Sequence, residues 1–345
     1  LGLVLSACSV AATEPLDSTT TSNPAPTTTS STTTTSTTTT LDQRETSLIN
    51  GLPVDDPSLL DRRVLAVKID NHPRATPQSG IEKADMVIEM MVEGITRFLS
   101  IWHESDSDYL GPMRSGRPTE AYLLPAFNEP TFAISGGQAW VQNLIRSFDI
   151  PLIKELSEGT FRISSRRAPH NLYVDTLVLR ETADAREYPN EPPEEPLWDF
   201  GPMPSSATSA SEVNIDFSGN TVIWTWDETA GLWLRTAYGE DSTYLDEDGN
   251  EQRIGMPVLV ALYVEPYTAT PGGGQSGTNL PSSRTTGSGQ AYVFANGKVV
   301  EGTWERETET EWYTLTDSSG ETIEVSPGKV WVALVPSTRG LTITG

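Results

Sequence analysis

The sequence predicts an α+β protein in which a mixed α/β unit precedes a mostly-β unit, and three observations support this prediction. Between residues 61 and 185, strand-like and helix-like segments alternate. Residues 186–210 contain six prolines and several glutamates, a composition typical of a linker between domains. From residue 211 to residue 337, short runs of β-branched and aromatic residues recur between glycine-containing turns. We therefore expect two folded domains joined by a linker.

The first domain begins with three predicted strands. Residues 64–69 form a short apolar run that only Lys68 interrupts. Residues 85–93 have apolar even positions and place acidic residues only at odd ones, which predicts a half-buried strand with a partly acidic face. Residues 95–103 follow Gly94, are rich in β-branched and aromatic side chains, and are expected to pair back on the preceding strand.

Two helices and a strand are predicted next. Pro118 stands where a helix would begin, and residues 119–127 would continue it. A strand at 131–135 runs into a glycine pair and then into a second helical stretch that ends near residue 148.

The second domain is predicted to consist of strands. Glycine-containing turns at 247–250 and 295–297 predict hairpins. Residues 269–289 form a Gly/Ser-rich loop that we expect to be mobile. The predicted strands are residues 221–227, 232–238, 257–265, 291–300 and 329–336.

Residues 1–8 are similar to the end of a bacterial lipoprotein signal peptide. The first five residues are mostly apolar, and Leu5-Ser6-Ala7-Cys8 fits a lipobox, whose cysteine thiol receives a diacylglycerol. An ordinary secretory signal is the alternative, but the position of the only cysteine favours the lipobox. A lipid on Cys8 would join the protein to the membrane, so the expected location is extracytoplasmic, on the outer face of the cell membrane.

Residues 9–60 are a Ser/Thr-rich tract with interspersed prolines. Such a composition buries too little apolar surface to offset the entropy of the chain, so a disordered stalk is expected. Ser/Thr with Pro is also typical of O-glycosylated stalks.

The charge of the chain excludes one class of partner. The net charge is −24, and residues 211–336 alone hold 19 acidic against 6 basic side chains, whereas residues 61–180 hold 15 against 14. A chain this acidic repels nucleic acid, which is therefore not an expected partner.

Asp70, Asn71 and His72 directly follow the first predicted strand. An aspartate beside a histidine can orient the imidazole as a base or as a metal ligand. The same residues can also form an Asx turn, in which a side chain accepts backbone N–H groups. The spacing favours the turn, and both interpretations remain open.

Glu89 and Glu93 lie four residues apart on one predicted strand face, about 13 Å along the strand. This is too far for two carboxylates that cooperate directly in catalysis. Either glutamate can instead pair with an arginine, and Arg97 across the Gly94 turn is the nearest candidate. A cross-strand ion pair is the favoured interpretation.

Arginines gather in the loops of the first domain. Arg114 and Arg117 stand directly before a predicted helix, whose unpaired N–H groups would join the two guanidinium groups in an anion pocket. Arg167 precedes His170 and Asn171 in another loop. Two roles for these arginines are equally well supported. They can bind an anion, or they can neutralise carboxylates of the protein itself.

No cofactor and no metal site is predicted. A metal site would require the fold to bring His72, His170 and a carboxylate together, because no short metal-binding spacing occurs. No nucleotide-binding glycine motif and no Gly-x-Ser-x-Gly motif is present. Nucleophilic catalysis therefore has little support.

Seven stretches of the chain together are similar to a known family. They are residues 70–89, 93–102, 111–118, 135–137, 168–174, 287–306 and 326–336. In this order they resemble the YerB-like lipoproteins of Gram-positive bacteria, the family of domain of unknown function 3048, which has N- and C-terminal parts. The family typically has two glycines before Ile-Thr-Arg, whereas this chain has only Gly94, so the hairpin there is expected to differ.

The resemblance implies a lipid-anchored extracytoplasmic protein whose first domain is a layered β/β/α fold with a mixed sheet, followed by a mostly-β domain. It implies no established reaction. Our leading hypothesis is a binding or assembly module that recognises an anionic cell-wall component or another envelope protein. The alternative is an envelope hydrolase or transferase acting on cell-wall glycan or peptide, in which Glu89 or Glu93 and His72 act as acid and base.

Overall fold

One large sheet passes through both predicted domains. The computed structural model describes residue 2 and residues 44–345, so Cys8 and residues 9–43 of the predicted stalk lie outside the described residues. None of the helices in the described part is long and apolar enough to cross a membrane. The helices are α1 (Pro118–Leu123), α2 (Ala139–Arg146) and α3 (Thr176–Ala185), with 3₁₀ turns at Pro57–Asp61, Pro73–Ala75, Ile81–Lys83 and Leu124–Phe127.

The strands are numbered in chain order. Those before the predicted linker are β1 (Leu65–Ile69), β2 (Gln78–Ser79), β3 (Met86–Met91), β4 (Thr96–Trp102), β5 (Thr131–Ile134), β6 (Leu152–Lys154), β7 (Thr160–Arg162) and β8 (Leu172–Val174). The next are β9 (Thr208–Ser209), β10 (Glu212–Asp216), β11 (Thr221–Asp227), β12 (Leu232–Ala237), β13 (Glu240–Asp241), β14 (Thr243–Leu245), β15 (Glu251–Arg253) and β16 (Gly255–Met256). The last are β17 (Val258–Val264), β18 (Pro266–Ala269), β19 (Leu280–Ser283), β20 (Gly287–Ala295), β21 (Lys298–Arg306), β22 (Thr314–Asp317), β23 (Val330–Pro336) and β24 (Leu341–Thr344).

The main sheet has 11 strands in the order β22-β21-β20-β17-β23-β3-β4-β1-β5-β6, with β9 paired to β21. Its centre joins the two halves of the sequence, since β23 is parallel to β17 on one side and to β3 on the other. The predicted return of residues 95–103 onto the preceding strand is confirmed, because β3 and β4 pair in antiparallel fashion.

The second sheet covers one face of the main sheet, and helices α1 and α2 cover the opposite face. The second sheet has six strands, in the order β13-β12-β11-β10-β24 with β16 beside β12, and it packs on one face together with α3. Helices α1 and α2 pack on the other face. The predicted α+β class, with its layered β/β/α arrangement and mostly-β second half, is therefore confirmed.

Strand β3 is not half-buried, as the alternation predicted, because both of its faces are covered. Its even positions face the helices, and its odd positions face the second sheet. Glu89, at an odd position, has no exposed surface. The alternation correctly separates the two faces of β3, but Glu89 faces a buried partner instead of water.

Three segments are more ordered than their composition predicted. Residues 44–60 were assigned to the stalk, yet Ile49 lies in the core. The predicted linker contributes the buried side chains of Leu197 and Trp198. The predicted mobile loop contains β19 and the start of β20, so its connecting segments shorten to residues 270–279 and 284–286. The division into two domains stays a prediction.

Candidate functional site

The polar motifs of the first half meet at the carboxyl end of β1. This strand pairs with β4 on one side and runs parallel to β5 on the other. The loop after β5 is tied to the arginine-bearing loop, because Ser135 N donates to Arg114 O at 3.0 Å and Gly116 N donates to Gly136 O at 3.1 Å. Ligands of α/β sheets bind outside such carboxyl ends.

Asp70 is fully buried at this edge and uses both of its oxygens. Oδ1 accepts the backbone N–H of His72 at 3.1 Å, so the predicted Asx turn is present. Oδ2 lies 2.7 Å from His170 Nδ1 and 3.2 Å from Arg114 Nε. The two interpretations of this motif are compatible, because one oxygen makes the turn and the other orients an imidazole.

The carboxylate of Asp70 selects the tautomer of His170. A carboxylate can only accept, so His170 Nδ1 carries the hydrogen and donates it. A neutral His170 then has its lone pair on Nε2, which has no hydrogen-bond partner within residues 44–345. This is the arrangement in which an aspartate holds an imidazole ready to accept a proton or a hydrogen bond.

The rings of His72 and His170 are stacked, with centroids 4.7 Å apart and planes 26° apart. Arg166 fixes the two loops that carry them, since its guanidinium donates to Ala75 O and Pro77 O. Burial, with added repulsion from His170, lowers the pKa of His72 below its ordinary value of 6.5. The imidazole pair therefore resists double protonation.

Arg97 is a buried cation without a carboxylate partner. It lies opposite Met90 in the register of β3 and β4, so it faces the helices. Its side chain donates to Ser115 O at 3.1 Å, while its Nε has no partner and no carboxylate of the described part lies within ion-pair distance. Burial, reinforced by the charge of Arg117, lowers the pKa of Arg97 to about 10. A desolvated guanidinium of this kind favours a neighbouring anion.

The predicted ion pair between Arg97 and the glutamates is wrong. Glu89 lies opposite Phe98 and points to the second sheet, where Arg235 binds it at 2.5 Å. Glu93 lies beyond the end of β3 in the hairpin turn, and Arg117 binds it at 2.7 Å. Neither glutamate contacts His72, so the predicted acid–base pairs of Glu89 or Glu93 with His72 do not form here.

The start of α1 is also closed to an anion, contrary to expectation. Glu120 accepts the backbone N–H of Arg117 at 2.7 Å and pairs with Lys68 on β1. Pro118, the first residue of the helix, has no N–H to offer. Burial lowers the pKa of Lys68 to about 8, although Glu120 opposes that shift.

The other predicted site residues have structural or peripheral positions. Asn71 is buried and donates to Thr96 Oγ1 at 2.7 Å. Asn171 shapes its own loop by donating to Ile163 O at 3.0 Å. Arg167 is exposed. Asp70 contacts Arg114 and His170, His72 stacks on His170, and Arg97 interacts electrostatically with Arg114 and Asp70. We call these five residues the edge cluster.

The edge cluster unites the two histidines and the carboxylate that a metal site would need, and the Nδ1 atom of each histidine is already engaged in a hydrogen bond. His170 Nδ1 bonds Asp70, and His72 Nδ1 accepts the backbone N–H of Arg74 at 3.1 Å. No group of three or more His, Cys, Asp or Glu side chains among residues 44–345 is arranged to hold a metal ion.

Two buried cations, Lys68 and Arg235, could have been identified from the sequence. Lys68 interrupts an apolar strand, and a charge in such a strand requires a buried partner, which is Glu120. Arg235 occupies the same face of β12 as the buried Trp233. A cation on the apolar face of a strand similarly indicates a buried carboxylate.

Comparisons with known proteins agree on one group. "Protein of unknown function (DUF3048) N-terminal domain" matches residues 49–189, and "Protein of unknown function (DUF3048) C-terminal domain" matches residues 213–332. The chain is 26% identical over 307 residues to "Putative lipoprotein YerB" of Bacillus subtilis (strain 168), covering 86% of this chain and 88% of that protein. Its fold is similar to the crystal structure of YerB protein from Bacillus subtilis, with a TM-score of 0.73 and 24% identity over 87% of this chain and 100% of that one.

Proposed function

The chain belongs to the DUF3048 family, and from this premise we propose that it is a lipid-anchored binding protein of the cell envelope. In this proposal the lipid is attached to Cys8, residues 9–43 act as a spacer, and the folded part binds an anionic envelope component. The name of the Bacillus subtilis relative and the lipobox-like Leu5-Ser6-Ala7-Cys8 sequence support the anchoring.

The ligand is a carboxylate or phosphate group bound at the edge cluster. The observation that carries this proposal is the buried guanidinium of Arg97, which lacks a carboxylate partner in the described part of the chain. The edge cluster holds two guanidinium groups against one carboxylate, so it has an excess of positive charge even when both histidines are neutral. Arg114 then supplies hydrogen-bond donors beside Arg97 for an incoming oxyanion, while the N–H of His170 stays bonded to Asp70.

Titration with inorganic phosphate and with acetate tests the proposal. The imidazole resonances of His72 and His170 would be followed by NMR in the purified protein. Both rings are expected to shift on binding, and Arg114→Gln should weaken binding about fivefold or more through loss of a charge-assisted hydrogen bond. Arg114 is partly exposed, and Asp70 keeps the N–H groups of His72 and His170, so the substitution should lower the melting temperature only slightly.

Arg284→Gln is the matched control, because Arg284 is an exposed arginine paired with Glu265 far along the sequence. It changes the net charge by the same amount and should not alter anion binding. Shifts that are equally weakened in both variants, or the absence of any shift with either anion, would contradict anion binding at the edge cluster.

One observation favours a second candidate, an envelope hydrolase or transferase. The buried Asp70 orients His170 so that Nε2 is free to act as a general base. Incubation with purified peptidoglycan, followed by mass spectrometry of the released fragments, tests this activity. Product formation that disappears in His170→Gln would support the enzyme, whereas anion binding without turnover supports the binding protein.

A further inference from the structure

A cleft of about 820 Å³ lies away from the edge cluster, between the predicted linker and the hairpin of β21 and β22. An adjoining cleft of about 580 Å³ shares Asp199 and Thr322 with it. The two together form an extended groove. Neither cleft is lined by a residue of the edge cluster.

Aromatic side chains form one wall of the larger cleft. Trp198 and Trp312 meet edge to face with centroids 5.5 Å apart, and Trp312 also lies 5.0 Å from Tyr313. Trp198 is almost fully buried, and its indole N–H, like that of Trp312, has no acceptor within residues 44–345. Such a wall offers ring faces to a cation and N–H donors to a carbonyl group.

Six carboxylates line the same cleft without basic partners. No Lys or Arg of the described part lies within ion-pair distance of them. The adjoining cleft adds Glu321 and Glu324. A groove lined by charges of one sign focuses the electric field and attracts ligands of the opposite sign. The six residues are Glu194, Glu195, Asp199, Glu305, Glu307 and Glu311.

Arg306, the only basic residue among those that line the two clefts, uses its guanidinium group to stabilise the shape of the larger cleft. Arg306 is buried and donates to five backbone carbonyl groups, including those of Glu309 and Glu311. Glu311 in turn accepts the backbone N–H groups of Glu307 and Thr308. These contacts hold the loop that presents Trp312, so the cleft is formed before a ligand arrives.

We propose that this acidic groove binds an extended basic peptide, in which lysine ammonium groups meet the carboxylates and the aromatic faces. Peptide carbonyl groups provide the acceptors that the two indole N–H groups lack. The groove is a second binding site, independent of the edge cluster. A partner with a lysine-bearing extended segment fits this chemistry.

The test measures trilysine binding to the purified protein by calorimetry at low ionic strength. The triple variant Glu195→Gln/Asp199→Asn/Glu307→Gln changes three exposed carboxylates of the groove. It should weaken binding about tenfold, the sum expected for three exposed ion pairs. The matched control Glu228→Gln/Glu240→Gln/Asp248→Asn alters the net charge equally at exposed positions of the other sheets and should bind like the wild type.

Trilysine with acetylated side chains separates ammonium recognition from peptide backbone recognition, and it should not bind detectably. Equal weakening in the two triple variants would overturn the proposal, because the attraction would then be non-specific. Absence of trilysine binding would also overturn it. Preference for a neutral chitotriose over trilysine would identify the groove as a glycan site instead.

Discussion

Glu89 of β3 and Arg235 of β12 form a fully buried ion pair, with 2.5 Å between Oε1 and Nη2. Thr96 Oγ1 and Trp331 Nε1 also donate to Glu89, at 2.6 and 3.1 Å. The guanidinium lies 5.1 Å from the centre of the Phe98 ring. The pair therefore fastens the main sheet to the second sheet across the core between them.

Arg235→Met should lower the free energy of unfolding by about 3–5 kcal/mol, because it leaves a buried carboxylate without its cation. Urea denaturation followed by circular dichroism measures this loss. The control Arg253→Met removes a partly exposed arginine paired with Asp241 and should cost less than about 1 kcal/mol. Equal losses of unfolding free energy in the two variants would show that Arg235 is not needed to stabilise the buried carboxylate of Glu89.

A fragment of residues 44–189 should not fold cooperatively alone. It would expose the edge of β3 that normally pairs with β23 and would leave Glu89 without Arg235. Thermal melting monitored by circular dichroism should show a broad, non-cooperative change, and mixing with residues 190–345 should restore a sharp transition. A sharp transition in the fragment alone would support two independent domains.

Because of Asp85, the free energy of unfolding should decrease as the pH rises from about 4 to about 6. It is buried, and burial, with repulsion from Glu104, raises its pKa from 3.8 to about 6. The folded protein then binds the proton more tightly than the unfolded chain in this interval, so raising the pH favours unfolding.

Asp85→Asn should remove this contribution, so the variant gains stability relative to the wild type between pH 4 and pH 6. The backbone N–H groups of His103 and Ser105, which Asp85 accepts, can bond the amide oxygen instead. Asp108→Asn, at an exposed position, is the control. A stability difference that stays constant over the interval would mean that Asp85 does not titrate there.

Cys8→Ser should release the protein from the membrane fraction or leave the signal sequence uncleaved. Serine has no thiol to accept the lipid, whereas Ser9→Ala, the neighbouring control, keeps Cys8. Fractionation and gel migration measure the outcome. A Cys8→Ser protein that fractionates and migrates like the wild type would reject the lipobox.

The fold was predictable where local patterns decide the structure. The alternation over 85–93 predicted β3, and the Asn-Gly turn predicted the β20–β21 hairpin, where Asn296 and Gly297 both have positive φ. Helix α3 was missed, and so was the order of the main sheet, because pairing between distant strands leaves no local signal. The period-2 pattern also could not reveal that β3 is covered on both faces.

The candidate site was predictable only where its residues are close together in the sequence. Asp70 and His72 are neighbours in sequence, whereas His170 joins them only through the fold. Which arginine pairs with each glutamate depends on the sheet face that the glutamate side chain occupies. Arg97 was the nearest arginine in sequence to Glu89, but the register of β3 and β4 places the two on opposite faces.

The position of β23 has a consequence for how this protein is made. Residues 330–336 fill the middle of the main sheet, between strands that were synthesised long before them. The central sheet thus cannot close until residues 330–336 have left the ribosome. Under the export that we propose for this protein, this delay would leave the main sheet open during secretion, and β23 would complete that sheet afterwards.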